Sequence, residues 1–394
     1  MYGFGSIGSL LSEILLDTAS SYVLLTIPMF ILMAEFLAVS GLTRDIIRSS
    51  DRWLGRLPGG LGVACVAASA VMAAVVGSST ASAASMARAA FPGMKKMGYS
   101  DSLSTGIIAI AGTLAIMLPP SIVLVVYGIV TELSIGRLLV AGIVPGLLTA
   151  AGYAAVIVGW ALVFPKSAPR GVPFNFRSAL RGSVEMWPIL LLIVVVMSAL
   201  YSGMATATEV GAVGALGAAA IIFVMRRMNR EGTSAAIANT VRTTAMIISI
   251  ILAAHVFGYY LTWTQVTQDL VQAVADSGLS PWLVLLLVLA VYLVLGMFLD
   301  QLAILVLTLP VSFPLMTSLG FDGIWFGIIV TKTVEIGLVT PPLGLNVLIT
   351  SSVTTVPLKK AFAGVAPFIA IELLLLGILI AFPQLSLMLV ESMD

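Results

Sequence analysis

Two short stretches carry residue types suited to holding an ion, and they lie 222 positions apart. The first is Gly77-Ser78-Ser79-Thr80-Ala81-Ser82, where small residues let the backbone approach an ion and hydroxyls add neutral oxygen ligands. The second is Asp300-Gln301, opposite Ser78-Ser79 at that shift. An acid inside an apolar run is costly in a membrane and marks a functional position by default; Asp300 would balance a bound cation. A paired proline follows each stretch, at Pro119-Pro120 and Pro341-Pro342. Proline donates no backbone N–H, so carbonyls ahead of it are left free, and free carbonyls at the end of a half-helix suit Na⁺. These carbonyls fall between Thr113 and Leu118 in the first copy, with Gly337 and Thr340 ahead of the second break. Asp300 with Thr340 is the pairing expected for a second ion. Two plainer settings share this composition: a small-residue packing face at residues 77–82, and a wet hairpin rim at Asp300.

Other chemistries are excluded by what the chain lacks. With Cys65 and His255 as its single cysteine and histidine, it has no intramolecular disulfide, thiolate metal site or histidine cluster. It shows no spacing of an intramembrane enzyme. A net charge of +1 argues against nucleic acid.

Membrane helices must position these groups. Hydrophobic residues make up 60% of the chain and charged residues only 9%, against about 25% in soluble domains. Apolar runs span residues 21–40, 59–90, 103–130, 138–164, 186–201, 208–225, 243–263, 281–311, 323–350 and 363–382, after a short amphipathic piece at 7–16. Seventeen of the 19 basic residues fall in five loops, around Arg44–Arg56, Arg88–Lys96, Lys166–Arg181, Arg226–Arg242 and Lys359-Lys360. The positive-inside rule places these loops in the cytoplasm. Residues 59–90 are then flanked by cytoplasm at both ends, so the segment enters, turns at 77–80 and returns. Its length is too short for two spans of about 20 residues each with a turn. By the same logic 281–311 is a hairpin entering from the opposite face.

The shift of 222 is an internal repeat. It aligns Phe91-Pro92 with Phe313-Pro314, Gly98 with Gly320, Ala141-Gly142 with Ala363-Gly364, and Pro145 with Pro367. Glycine and proline, which set backbone geometry, dominate the matches. The copies have opposite orientation by the charge count, an inverted repeat of the kind on which secondary transporters are built. The spans at 186–201 and 208–225 have no counterpart ahead of the first copy. Among the remaining polar residues, Lys332 and Glu335 share a helix face and are expected to neutralise each other. Glu35 and His255 fall at roughly corresponding places in the two copies, and Glu209 sits at a wet span end.

At residues 77–82, 91–99, 111–127, 141–147 and 340–347 the chain resembles the large membrane subunit of TRAP (tripartite ATP-independent periplasmic) transporters, a likeness that covers nearly its whole length. The resemblance implies an all-α integral membrane protein of the elevator type, with two re-entrant hairpins and two broken helices. It divides the chain into N-terminal scaffold helices (1–57), a first transport half (58–132), scaffold helices (133–262), a second transport half (281–355) and a C-terminal scaffold helix (356–394). It implies Na⁺-driven uptake of an organic anion across a bacterial or archaeal inner membrane, without a further cofactor. The implied partners are a small four-helix membrane subunit and a periplasmic substrate-binding protein. Carried over by position, the ion ligands are Gly77, Ser78, Ser79, Thr113, Leu118, Asp300, Gln301, Gly337 and Thr340, and the substrate ligands are Ser79, Ser121 and Asn346. Family members normally carry an additional N-terminal segment, so either a truncated chain or a misassigned start is expected here. A stand-alone elevator symporter and a passive channel remain the alternatives.

Overall fold

Inside a bilayer the chain must pair its own backbone N–H and C=O groups, and helices do this within one segment. A computed structural model describes residues 12–13, 16–18, 20–169 and 176–393. These form eighteen α-helices and a short 3₁₀ turn, with no strand among the described residues. The amphipathic piece expected at 7–16 lies largely outside them. Among the described residues, seven segments are long and apolar enough to cross a membrane: Tyr22–Val39, Asp101–Thr131, Ile135–Val163, Ala207–Val224, Arg230–Trp263, Gln301–Ser318 and Leu358–Ala381.

The chain opens with α1 (Thr26–Val39) and α2 (Leu42–Leu54). A helical hairpin follows, α3 (Gly60–Val76) and α4 (Ser79–Lys96), then a broken helix, α5 (Asp101–Met117) and α6 (Ile122–Thr131). Next come α7 (Ile135–Ala141), α8 (Ile143–Val163), α9 (Phe176–Tyr201), α10 (Ala207–Val224), α11 (Arg230–Trp263) and α12 (Val266–Asp276). The second copy repeats the plan with α13 (Pro281–Gly296), α14 (Gln301–Ser318), α15 (Gly323–Gly337) and α16 (Leu345–Thr354). The chain closes with α17 (Leu358–Ala381) and α18 (Gln384–Glu391). The repeat is visible in the backbone: α14 starts and ends 222 residues after α4. Gly98 and Gly320 share a left-handed φ of 87°, and both Pro-Pro bonds are cis.

Two stretches expected as loops are helical. Arg44, Arg48 and Arg52 recur every four residues, which puts them on one side of α2 and leaves Leu42, Ile46 and Ile47 buried on the other, with Arg56 in the turn that follows. The stretch before residue 281, expected to be loop, holds α12. Two spans also begin earlier than their apolar runs: α9 at Phe176 and α11 at Arg230. An α-helix continues past the bilayer edge when its polar end can meet water.

The centre of the molecule is made by α5 and α15. Every residue from Leu103 to Met117, and from Trp325 to Gly337, is buried. Helix α17 crosses α5 at Gly364 and Gly106, where a Cβ on Gly364 would lie 1.8 Å from the Ser102 carbonyl oxygen. Only glycine permits that approach. On α9, α10 and α11, by contrast, large apolar side chains such as Leu191, Val194, Leu216, Phe223 and Val241 are exposed, as lipid-facing surface is.

Candidate functional site

Each hairpin turns beside the break of its own repeat. Gly77 has φ +58°, and a Cβ there would sit 3.0 Å from Ile122 Cγ1 and 3.2 Å from the Pro120 carbonyl oxygen. Gly77 therefore serves both the left-handed turn and the close approach of the tip to the first break. Ser78 is extended, its Oγ 3.2 Å from Thr80 Oγ1, and Ser79 opens α4 fully buried. At the second tip Asp300 caps α14, its Oδ2 accepting the Leu302 N–H at 3.1 Å. The Gly344 N–H beside the second break donates to the Met297 carbonyl at 3.4 Å. The two tips meet each other: Ser79 Oγ donates to Gln301 Oε1 at 3.1 Å.

The breaks are finished by hydroxyls. Ser121 Oγ donates to the Ile116 carbonyl and accepts the Leu124 N–H at 3.2 Å, capping both half-helices. Thr340 Oγ1 donates to the Ile336 carbonyl at 2.6 Å, and the Thr340 N–H to the Gly337 carbonyl at 3.0 Å. Leu118 closes α5, its N–H donating to the Leu114 carbonyl at 3.0 Å. The breaks differ in cover. Pro119 and Pro120 are buried against Met33 and Leu37 of α1 and Leu192 and Val196 of α9, whereas Pro341, Pro342 and Leu343 are exposed. Asn346, fully buried just past the second break, has no partner for its side-chain oxygen or nitrogen among the described residues, and neither has the Ser82 hydroxyl.

Two expected ligands sit in other surroundings. Gly337 packs where α15 crosses α13, a Cβ there being 2.6 Å from Gly296 Cα. Thr113 donates to the Ile110 carbonyl at 2.7 Å. Its oxygen is also 3.1 Å from the hydroxyl of Tyr153 on α8. Tyr153 opens onto a fully buried ionic cluster. Lys332 Nζ lies 3.0 Å from Glu335 Oε2, 2.6 Å from Glu372 Oε2 and 2.9 Å from Thr149 Oγ1. The expected neutralisation of Lys332 by Glu335 is present, but a second carboxylate shares it. Tyr153, Thr149 and Glu372 were not foreseen. A signal existed for Glu372, the sole charged residue of α17 after Lys360. Tyr153 and Thr149 carried none.

The outlying polar residues are satisfied locally. His255 Nδ1 is 2.9 Å from Thr18 Oγ1, and Glu35 accepts from Asn239 Nδ2 at 3.3 Å, so the structure does not bring them together. Glu209 forms a capping box with Thr206 at the start of α10.

Paired hairpins, paired broken helices and an inverted repeat define a membrane transporter of the secondary-transporter class. The chain belongs to the DctM component family of the tripartite ATP-independent periplasmic transporters, whose family model matches residues 4–385. It is 38% identical to the C4-dicarboxylate TRAP transporter large permease protein DctM of Pseudomonas aeruginosa, over 95% of this chain and 87% of that one. It is 31% identical to the ectoine TRAP transporter large permease protein TeaC of Halomonas elongata, over 98% of this chain and 90% of that one. The fold is shared with the crystal structure of the Alcanivorax borkumensis YdaH transporter, at a TM-score of 0.70 and 14% identity over 98% of this chain and 90% of that one. It is thus a transporter permease subunit and not an enzyme.

Proposed function

We propose that the chain is the large permease of a Na⁺-coupled importer of a C4-dicarboxylate or a related organic anion, working by an elevator motion in an inner membrane. The observation that carries this is the meeting of both hairpin tips at Ser79 and Gln301, each tip lying on its own helix break. That arrangement brings hydroxyls and carbonyls of both halves together, with the Asp300 carboxylate next to Gln301, an oxygen-rich setting that suits Na⁺. The ion ligands proposed are Gly77, Ser78, Ser79 and Leu118 in the first half and Asp300, Gln301 and Thr340 in the second. Ser79 and Asn346 face the anion; Ser121, with both hydroxyl roles taken by the backbone, finishes the break. The dicarboxylate class follows the Pseudomonas aeruginosa relative.

The moving body in this reading is α3–α6 with α13–α16. Helices α8 and α17 travel with it, a smaller scaffold than the divisions at 133 and 356 imply. Sliding α17 past α15 would part Lys332 from Glu372, and breaking a buried pair costs about 3–5 kcal/mol. A small membrane subunit and a periplasmic binding protein complete the transporter. The test is uptake of radiolabelled succinate into proteoliposomes holding the chain with its small membrane subunit. Accumulation is expected only with external binding protein and an inward Na⁺ gradient. Uptake without the binding protein would favour a stand-alone symporter, and equilibration without accumulation a channel.

A further inference from the structure

We propose that Tyr153 is a positioning residue that locks the two broken helices at one spacing, so that an ion at one half-site is felt at the other. Thr113 and Glu335 are equivalent in the repeat, 222 residues apart, and each stands six residues before its Pro-Pro break. Both reach the same hydroxyl: Tyr153 Oη is 3.1 Å from Thr113 Oγ1 and 3.5 Å from Glu335 Oε1, and it also donates to Glu372. The contact between Ser79 and Gln301 has the same 222-residue relation. Two pairs of equivalents therefore meet along the pseudo-two-fold axis, one at the hairpin tips and one at the broken helices.

The surrounding ions hold the Glu335 carboxylate still. All three Lys332 N–H donors are committed, to Thr149, Glu335 and Glu372. Thr149 spends its own proton on the Pro145 carbonyl at 2.8 Å; because the Tyr153 proton goes to Glu372, the single Thr113 proton is divided between the Ile110 carbonyl at 2.7 Å and Tyr153 Oη at 3.1 Å. Each charged group of the cluster thus has at least one partner within the cluster. Buried ion pairs of this kind are weak contributors to stability, and apolar residues of similar volume often serve as well. Charged groups inside a membrane are kept for function. Here the function available is geometric, because the cluster joins α5, α8, α15 and α17 on the half-helices that lead into both breaks.

This rests on the Na⁺-coupled reading, and binding of radioactive sodium tests the two separately. The chain is purified with its small membrane subunit, as wild type and as Tyr153→Phe. The ring keeps its edge contact with Phe368, at 6.0 Å between centroids, so packing is retained. The wild type is expected to bind sodium with a slope above one. Tyr153→Phe should flatten that slope and raise half-saturation about three- to tenfold, the effect of one lost hydrogen bond, without changing thermal stability in sodium-free buffer. Thr113→Val should reproduce the change, Thr113→Ser should not, and the double variant Tyr153→Phe/Thr113→Val should lose no more than either single one. A wild type that binds no sodium sinks the Na⁺ reading. A sodium-binding wild type with an unaltered curve in Tyr153→Phe overturns the role of Tyr153. If Tyr153→Phe misfolds, an unaltered curve in Thr113→Val overturns it equally.

Discussion

Ser79 and Gln301 hold the same place in two copies of one structural unit, and the hydroxyl of the first donates to the amide oxygen of the second at 3.1 Å. Ser79 is fully buried and Gln301 is 3% exposed, so neither side chain has water to turn to. The two hairpins are joined at their tips by this bond between side chains.

A double-mutant cycle should detect that bond. Ser79→Ala and Gln301→Ala each should raise the Na⁺ concentration for half-maximal uptake. Together they should do less than the sum, with a coupling of about 0.5–1.5 kcal/mol. Additive effects would show that the contact carries no energy of its own.

Orientation can be read by labelling single cysteines on a Cys65→Ala background. Arg48 and Lys96 are exposed on either side of the first hairpin, and Ala275 is exposed on α12. Arg48→Cys and Lys96→Cys should react only from the cytoplasmic side, and Ala275→Cys only from the other. Opposite results at Arg48 and Lys96 would mean that α3 and α4 together cross the membrane.

The breaks should matter more for transport than for folding. Replacing Pro119-Pro120 by Ala-Ala restores two backbone donors and favours continuous helix by about 3 kcal/mol per position. The protein should insert and express normally yet transport poorly, and Pro341-Pro342 should behave alike. Normal Na⁺-driven uptake in either double variant would reduce that break to a packing kink.

Stability should respond to glycine by position. A Cβ on Gly364 meets the Ser102 carbonyl at 1.8 Å, whereas one on Gly377, on the same helix, meets nothing within 4 Å. Gly364→Ala should lower the detergent melting temperature markedly, its cost exceeding the roughly 1–3 kcal/mol typical of overpacking. Gly377→Ala should be neutral or raise it slightly, since alanine is the better helix former by about 1 kcal/mol. Equal melting temperatures would contradict the close crossing of α5 and α17.

Backbone features were legible in the sequence because glycine and proline fix them locally. The turn at Gly77, the breaks at Pro119-Pro120 and Pro341-Pro342, and the repeat of Gly98 at Gly320 all fall where residue type demands. The amphipathic helix α2 was missed although Arg44, Arg48, Arg52 and Arg56 carry a four-residue period, because positive charge reads first as loop. Glu372 was legible in principle as a lone acid in α17. Its partners were not, since Tyr153, Glu335 and Glu372 meet only through the packing of three helices distant in sequence.

Asp300 is the charged member of the proposed ion site, and Na⁺-gradient-driven accumulation by Asp300→Asn tests that role most directly. Asparagine caps a helix as well as aspartate does, so the Leu302 N–H keeps its acceptor and the hairpin should fold. What is lost is the formal charge facing a cation, a contribution of about 1.5–3 kcal/mol. Asp300→Asn should express normally, with accumulation reduced, and Na⁺ half-saturation raised, by about one to two decades. A variant whose Na⁺ activation curve overlays that of the wild type would contradict that role, leaving Asp300 as a helix cap and nothing more.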